Sequence, residues 1–236
     1  MTPGKRSLIR LCSAILYTSS AVILVMLVKA LFFSGQIQPV LTKTVLCAAY
    51  IVTFYFSRFL FAFTSVGDNR RRMMRRGLII ILAVYLLFIA DVTLFDPALG
   101  RFAFTRNIFA SGALSDPVYA EKYLNYIPFS MIWKMLTVYP AEYGTGFVAV
   151  NLAGNFAVLM PVALLLTLIL PERKRTLRSI LLCFGISVMI ELLQLIFMTG
   201  TCDIDDVILN TAGAAVICLL MKVPVINGII RKATMV

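Results

Sequence analysis

The chain has 236 residues, 61% of them hydrophobic, with a mean hydropathy of +0.94 and a formal net charge of +11. Soluble domains stand nearer half apolar, so these values place the chain in lipid rather than in water. Histidine is absent, which excludes imidazole metal ligation and Ser-His-Asp or Cys-His catalysis.

The first hydrophobic run, Leu11 to Phe33, is too long for a signal core and no small-residue cleavage site follows it, so it reads as a true span. After the turn Ser34 to Pro39 comes a second span, Val40 to Phe63. It carries Lys43 and Arg58 near its two ends, where long side chains are expected to snorkel to the interface. Arg70, Arg71, Arg72, Arg75 and Arg76 then precede a third span, Gly77 to Phe95, which Asp96-Pro97 terminates. Residues 96–146 mix charges, aromatics, Gly and Pro, and form the one sizeable non-spanning region. Within it, Asn125-Tyr-Ile-Pro-Phe129 and Ser130 to Val138 read as an interfacial segment, with Tyr126, Trp133 and Tyr139 suited to the headgroup boundary. The fourth span, Phe147 to Leu170, stops at Pro171, and Arg173, Lys174, Arg175 and Arg178 lead into the fifth, Ser179 to Met198. A short acidic turn to Asp206 precedes the sixth, Val207 to Val223.

Orientation follows from the basic residues. With six spans, Lys5, Arg6 and Arg10, the arginines between spans two and three, those between four and five, and Arg231 with Lys232 all fall on one side. By the positive-inside rule that side is the cytoplasm. The expected fold is therefore all-α: a polytopic transmembrane helix bundle with both termini cytoplasmic. Its parts are a two-helix N-terminal extension (1–76), a four-helix membrane domain (77–223) with an external loop (96–146), and a cytoplasmic tail (224–236). The positive charge serves topology and anionic headgroups, and no nucleic-acid partner is expected. Cys12, Cys47, Cys183, Cys202 and Cys218 show neither metal spacing nor a disulfide framework.

An ionisable group within a span costs at least about 2.5 kcal/mol to insert, and so needs a reason. Glu191 and Gln194 share a face of span five with Ser187. Asn151 and Asn155 share a face of span four. Asp206 and Asn210 share a face of span six, just after Asp203 and Asp205. All fall at one depth in the predicted outer half, which suggests a shared outward-facing polar pocket. One of the three aspartates is also expected to cap span six. Asp91 is expected either in the pocket or at the interface, and Lys29 to snorkel. Gly154, Gly213 and Ala214 read as small residues permitting close helix approach. No Lys or Arg stands among these stripes, and no nucleophile is paired with a base.

In series, Asn125-Tyr-Ile-Pro-Phe, Asn151-Leu-Ala-Gly-Asn155, Met160-Pro161, Ile190-Glu-Leu-Leu-Gln194, Asp203-Ile-Asp-Asp206 and Asn210-Thr-Ala-Gly213 resemble the VanZ-like family over about Leu78 to Met221. The family is named after a protein linked to resistance to the lipoglycopeptide teicoplanin, so the resemblance implies a role in the bacterial cell envelope at the plasma membrane. Carried over by position, it marks Asn125, Pro128, Asn151, Asn155, Glu191, Gln194, Asp203, Asp205, Asp206 and Asn210. Tyr126, where a branched aliphatic is commoner, departs from the pattern, as does the stretch Thr199 to Cys202.

Three functions compete. In the first, a non-enzymatic envelope factor binds membrane lipids or lipid-linked cell-wall precursors. In the second, an enzyme acts on a lipid-linked phosphate, a divalent cation being held by Glu191, Asp203, Asp205 and Asp206, since such cations prefer oxygen ligands. In the third, a transporter or flippase uses the intramembrane carboxylate. The first is favoured, with no cofactor required.

Overall fold

A computed structural model describes residues 2–33, 39–65, 67–96, 123–171 and 175–235. Much of the expected external loop (97–122), the turn at 34–38, and Arg173 and Lys174 of one basic loop lie outside the described residues. Within them the chain is almost wholly helical. Five helices are long and apolar enough to cross a membrane, and a sixth is added if Ile204–Leu220 and Pro224–Thr234 make one broken span. The chain is thus an all-α, multi-pass membrane protein, and it divides into two compact units: Met1–Ile89 with Val223–Val236, and Ala90–Lys222.

In the first unit, α1 (Pro3–Val28, continued by a π turn over Lys29–Phe33) packs on α2 (Val40–Phe63). The two are tied by a reciprocal pair: Ser13 Oγ donates to the Ser57 carbonyl at 2.9 Å, and Ser57 Oγ donates to the Ser13 carbonyl at 3.0 Å. With no water to compete, such bonds hold helices whose apolar surfaces lipid would solvate equally well. Tyr50 and Phe54 stack at 5.4 Å. Lys43 does not snorkel; it is 2% exposed. The reason lies in the helical period, since Lys43, Cys47, Tyr50, Phe54 and Ser57 recur at intervals of three and four along the buried stripe of α2. Arg58 behaves similarly. Its Nη2 donates to the Met73 carbonyl of α3 (Asp68–Ala90) at 3.3 Å rather than reaching outward. The tail expected at 224–236 is itself helical, α10 (Pro224–Thr234), and Tyr55 Oη donates to its Ala233 carbonyl at 2.7 Å.

The second unit begins with a π turn, Asp91–Phe95, in which Asp91 is buried within the protein. Beyond the gap come β1 (Leu124–Asn125), α4 (Ser130–Thr137), α5 (Tyr139–Tyr143), α6 (Thr145–Val158), α7 (Met160–Ile169), α8 (Arg175–Phe197), β2 (Cys202–Asp203) and α9 (Ile204–Leu220). The expected fourth span holds as one crossing segment, Thr145–Ile169, whose helix is interrupted once. The ring of Pro161 and its missing N–H break the ladder after Val158, so Leu159 turns the chain between α6 and α7. The two short strands were not anticipated: β1 and β2 pair in parallel, Leu124 opposite Cys202 and Asn125 opposite Asp203.

Helix α9 is the hub, packing against α6, α7 and α8. Gly213 makes this approach feasible, because a Cβ there would stand 1.7 Å from the Phe156 carbonyl oxygen of α6. Ala214 beside it is fully buried. Gly154 has a different situation from the one its sequence suggests, for a Cβ there would meet nothing within 4 Å.

Candidate functional site

The candidate residues meet where β1, β2, α8 and α9 converge, but they do so through a sequence of separate hydrogen bonds. Glu191, buried on α8, accepts the backbone N–H of Asp203 at 2.9 Å. Asp203 Oδ1 accepts from the Asn125 amide at 2.7 Å and from the Asp205 N–H at 2.8 Å, the second bond capping α9 as expected of one of the three aspartates. Asp205 accepts the backbone N–H groups of Phe129, Met131 (2.7 Å) and Ile132 (3.0 Å), so its carboxylate caps α4 from elsewhere in the chain. Asp206 accepts from the side-chain amide of Asn155 on α6. Each carboxylate is thus matched to N–H donors, which favour its charged form.

This distribution separates two sets of residues. Asn125, Glu191 and Asp203 line a cavity of about 330 Å³ whose remaining wall is largely apolar, including Phe184, Val188, Leu192 and Val207. The other candidates hold the scaffold. Asn155 and Asp206 join α6 to α9. Asn210 donates to Ser187 Oγ at 2.8 Å and joins α9 to α8. Gln194 donates to the Thr93 carbonyl at 3.0 Å and anchors α8 to the π turn. Asn151 stays within its own helix, donating to the Phe147 carbonyl at 2.8 Å. Among the described residues no three Cys, Asp or Glu side chains are grouped so as to hold a metal ion. The four-carboxylate cation site drawn from Glu191, Asp203, Asp205 and Asp206 therefore has no geometric support. Each of these side chains accepts from a different N–H donor or set of donors.

One residue that the sequence reading passed over is Lys134. A second cavity, also about 330 Å³, shares Leu124, Asn125 and Tyr126 with the first and adds Ser130, Lys134, Tyr139 and Thr201. The polar stripes themselves carry no Lys or Arg, and this cation comes instead from α4, outside them. The available signal was the spacing: Lys134 lies one helical turn after Ser130, on the segment that Asn125-Tyr-Ile-Pro-Phe introduces. That segment had been assigned to the headgroup boundary for its aromatics. Burial pushes the Asp203 carboxyl above its ordinary pKa, while the Asp205 N–H, the Asn125 amide and the positive charge of Lys134 pull it back down. The Cys202 thiol beside it is also raised, by burial first and then by the negative charges of Glu191 and Asp203.

A largely apolar chamber and a polar, cationic chamber separated by one extended strand can take the two parts of an amphiphile. Leu192, next to Glu191 on α8, also helps to wall the first chamber.

The family model described as VanZ/LLP1 matches residues 77–227, which includes every residue of both chambers. No curated protein and no solved structure matches the chain.

Proposed function

The chain belongs to the VanZ/LLP1 family, and from that premise we propose that it is a bacterial plasma-membrane protein that binds a lipid-linked cell-envelope component and lowers susceptibility to lipid-tailed glycopeptides such as teicoplanin. The observation that carries this reading is the sharing of Leu124, Asn125 and Tyr126 by two chambers of opposite character. An acyl or prenyl chain would occupy the one walled by Phe184, Val188, Leu192 and Val207. Its head would lie against Ser130, Lys134, Tyr139 and Thr201, with Asn125 between. Burial of apolar chain contributes roughly 0.8 kcal/mol per CH₂, and a lysine within reach of the head favours a phosphate or carboxylate there. In this reading both termini face the cytoplasm and the chambers open towards the outer leaflet, the depth at which a drug's lipid tail would lie.

The test is expression in a susceptible Gram-positive host. Sensitivity to lipid-tailed glycopeptides should fall more than sensitivity to vancomycin, and Lys134→Gln and Asn125→Ala should each remove the difference. Equal shifts for tailed and untailed drugs would point to altered wall chemistry instead. No shift would separate this chain from the role after which its family is named.

A further inference from the structure

The basic residues of α1 and α2 also form a site. Arg10 and Arg58 line one cavity of about 270 Å³ together with Ser13, Tyr17, Ser57 and Phe61, and among the described residues no carboxylate borders it. Arg10 also borders an adjoining cavity of about 310 Å³ with Arg6 and Ser7. Both serine hydroxyls at the first cavity donate to main-chain carbonyls, Arg10 Nε donates to Thr64 Oγ1 at 3.5 Å, and the remaining guanidinium N–H groups are the cavity's charged donors.

Arg58 is held for this purpose. Its Nη2 is anchored on the Met73 carbonyl, and its stem lies on Gly77, where a Cβ would come within 3.3 Å of Arg58 Cγ. Its Nε–H is buried without an acceptor among the described residues. A permanent cation with a buried, unsatisfied donor carries a desolvation cost that an anion beside the guanidinium would offset. Generic positive charge at a span's end explains exposed arginines such as Arg71 and Arg72, but not one that is clamped and left with an unsatisfied N–H.

We propose that Arg10 and Arg58 form a phosphate-binding site, the guanidinium N–H groups that border the cavity donating to phosphate oxygens. The planar fork of a guanidinium fits phosphate oxygens, and Tyr17 and Phe61 give the cavity an apolar wall beside the charge. Two sources carry this chemistry: the headgroup of an anionic phospholipid, and the phosphate of a water-soluble molecule. Arg10, Arg58 and every other residue lining the two cavities precede residue 77, so the site lies outside the family match.

The experiment uses the full chain in neutral detergent, titrated separately with phosphatidylglycerol, read by native mass spectrometry, and with inorganic phosphate, read by thermal shift. Saturable binding of at least one probe is expected, weakened roughly tenfold or more in R58Q and in R10Q, as befits loss of a charge-assisted hydrogen bond, and unchanged in R71Q. Binding of the lipid alone identifies a headgroup site, and binding of inorganic phosphate a soluble one. Because Arg58 also braces α3, R10Q carries the decision if R58Q lowers the melting temperature without ligand; full binding by R10Q then overturns the proposal. So does an equal loss in R71Q, or no saturable binding of either probe.

Discussion

Asp205 holds Met131 in place, its carboxylate accepting the Met131 backbone N–H at 2.7 Å. The same carboxylate takes the N–H groups of Phe129 and Ile132, and Phe129 has a left-handed backbone with φ of 65°. That conformation costs a residue with a Cβ roughly 1–2 kcal/mol. The turn that carries the strand between the two chambers into α4 is therefore sustained by an aspartate from the start of α9.

Replacing Asp205 with Ala leaves three N–H groups without their acceptor, and should destabilise the second unit by about 2 kcal/mol or more. Cleavage between residues 126 and 139 in limited proteolysis should speed up well before the helices unfold. Phe129→Gly relieves the backbone strain and should partly restore resistance when combined with Asp205→Ala. An unchanged cleavage rate in Asp205→Ala would mean that the turn is held by something else.

Helix approach at α9 gives a sharper contrast. Gly213→Ala drives a methyl into the Phe156 carbonyl and should cost about 3 kcal/mol or more, seen as low abundance and a lower melting temperature. Gly154→Ala meets open space and gains helix propensity, so it should lie within about 0.5 kcal/mol of the parent or slightly above it. Similar melting temperatures for the two variants would contradict the packing described.

Glu191→Gln keeps an oxygen acceptor for the Asp203 N–H and removes only the charge. Membrane abundance should stay normal while the drug-susceptibility phenotype is lost. Leu182→Ala serves as the comparison, because Leu182 is exposed on the same helix and does not line the chamber, whereas Leu192 does. Retained activity in Glu191→Gln would show that the negative charge at the chamber is dispensable.

The pH dependence follows from Asp203, whose pKa in the folded protein is raised chiefly by burial. The folded state then binds this proton more tightly than the unfolded chain does. The resulting stabilisation is complete below the ordinary Asp pKa of 3.8 and is lost as pH rises through the elevated folded value. Asp203→Asn cannot titrate and retains an acceptor oxygen. Its melting temperature relative to the parent should therefore be most favourable near neutral pH and fall as the solution is acidified. A difference independent of pH would show that the carboxyl titrates normally.

The membrane-crossing helices were legible in the sequence because lipid solvation acts on each residue where it stands. A run of apolar side chains long enough to cross the bilayer is helical whatever lies beside it, since its backbone groups have no other partner. Although the interruption at Pro161 was not foreseen in the single run Phe147 to Leu170, the end of the third span at Asp96 is equally local. The polar residues of α8 and α9 were visible for the same reason, as exceptions within apolar runs. Their partners were not. That Asp205 caps α4, that Asn210 meets Ser187 while Asn151 turns back on Phe147, and that Lys134 stands beside Asn125 all depend on the register of segments far apart in the chain. The same holds for Lys43, whose charge suggested an interface but whose place in the helical stripe put it inside. Helical period gives the face on which a side chain lies, but only packing decides what that face meets, because hydrogen bonds and cavities form between elements and each element's sequence specifies only itself.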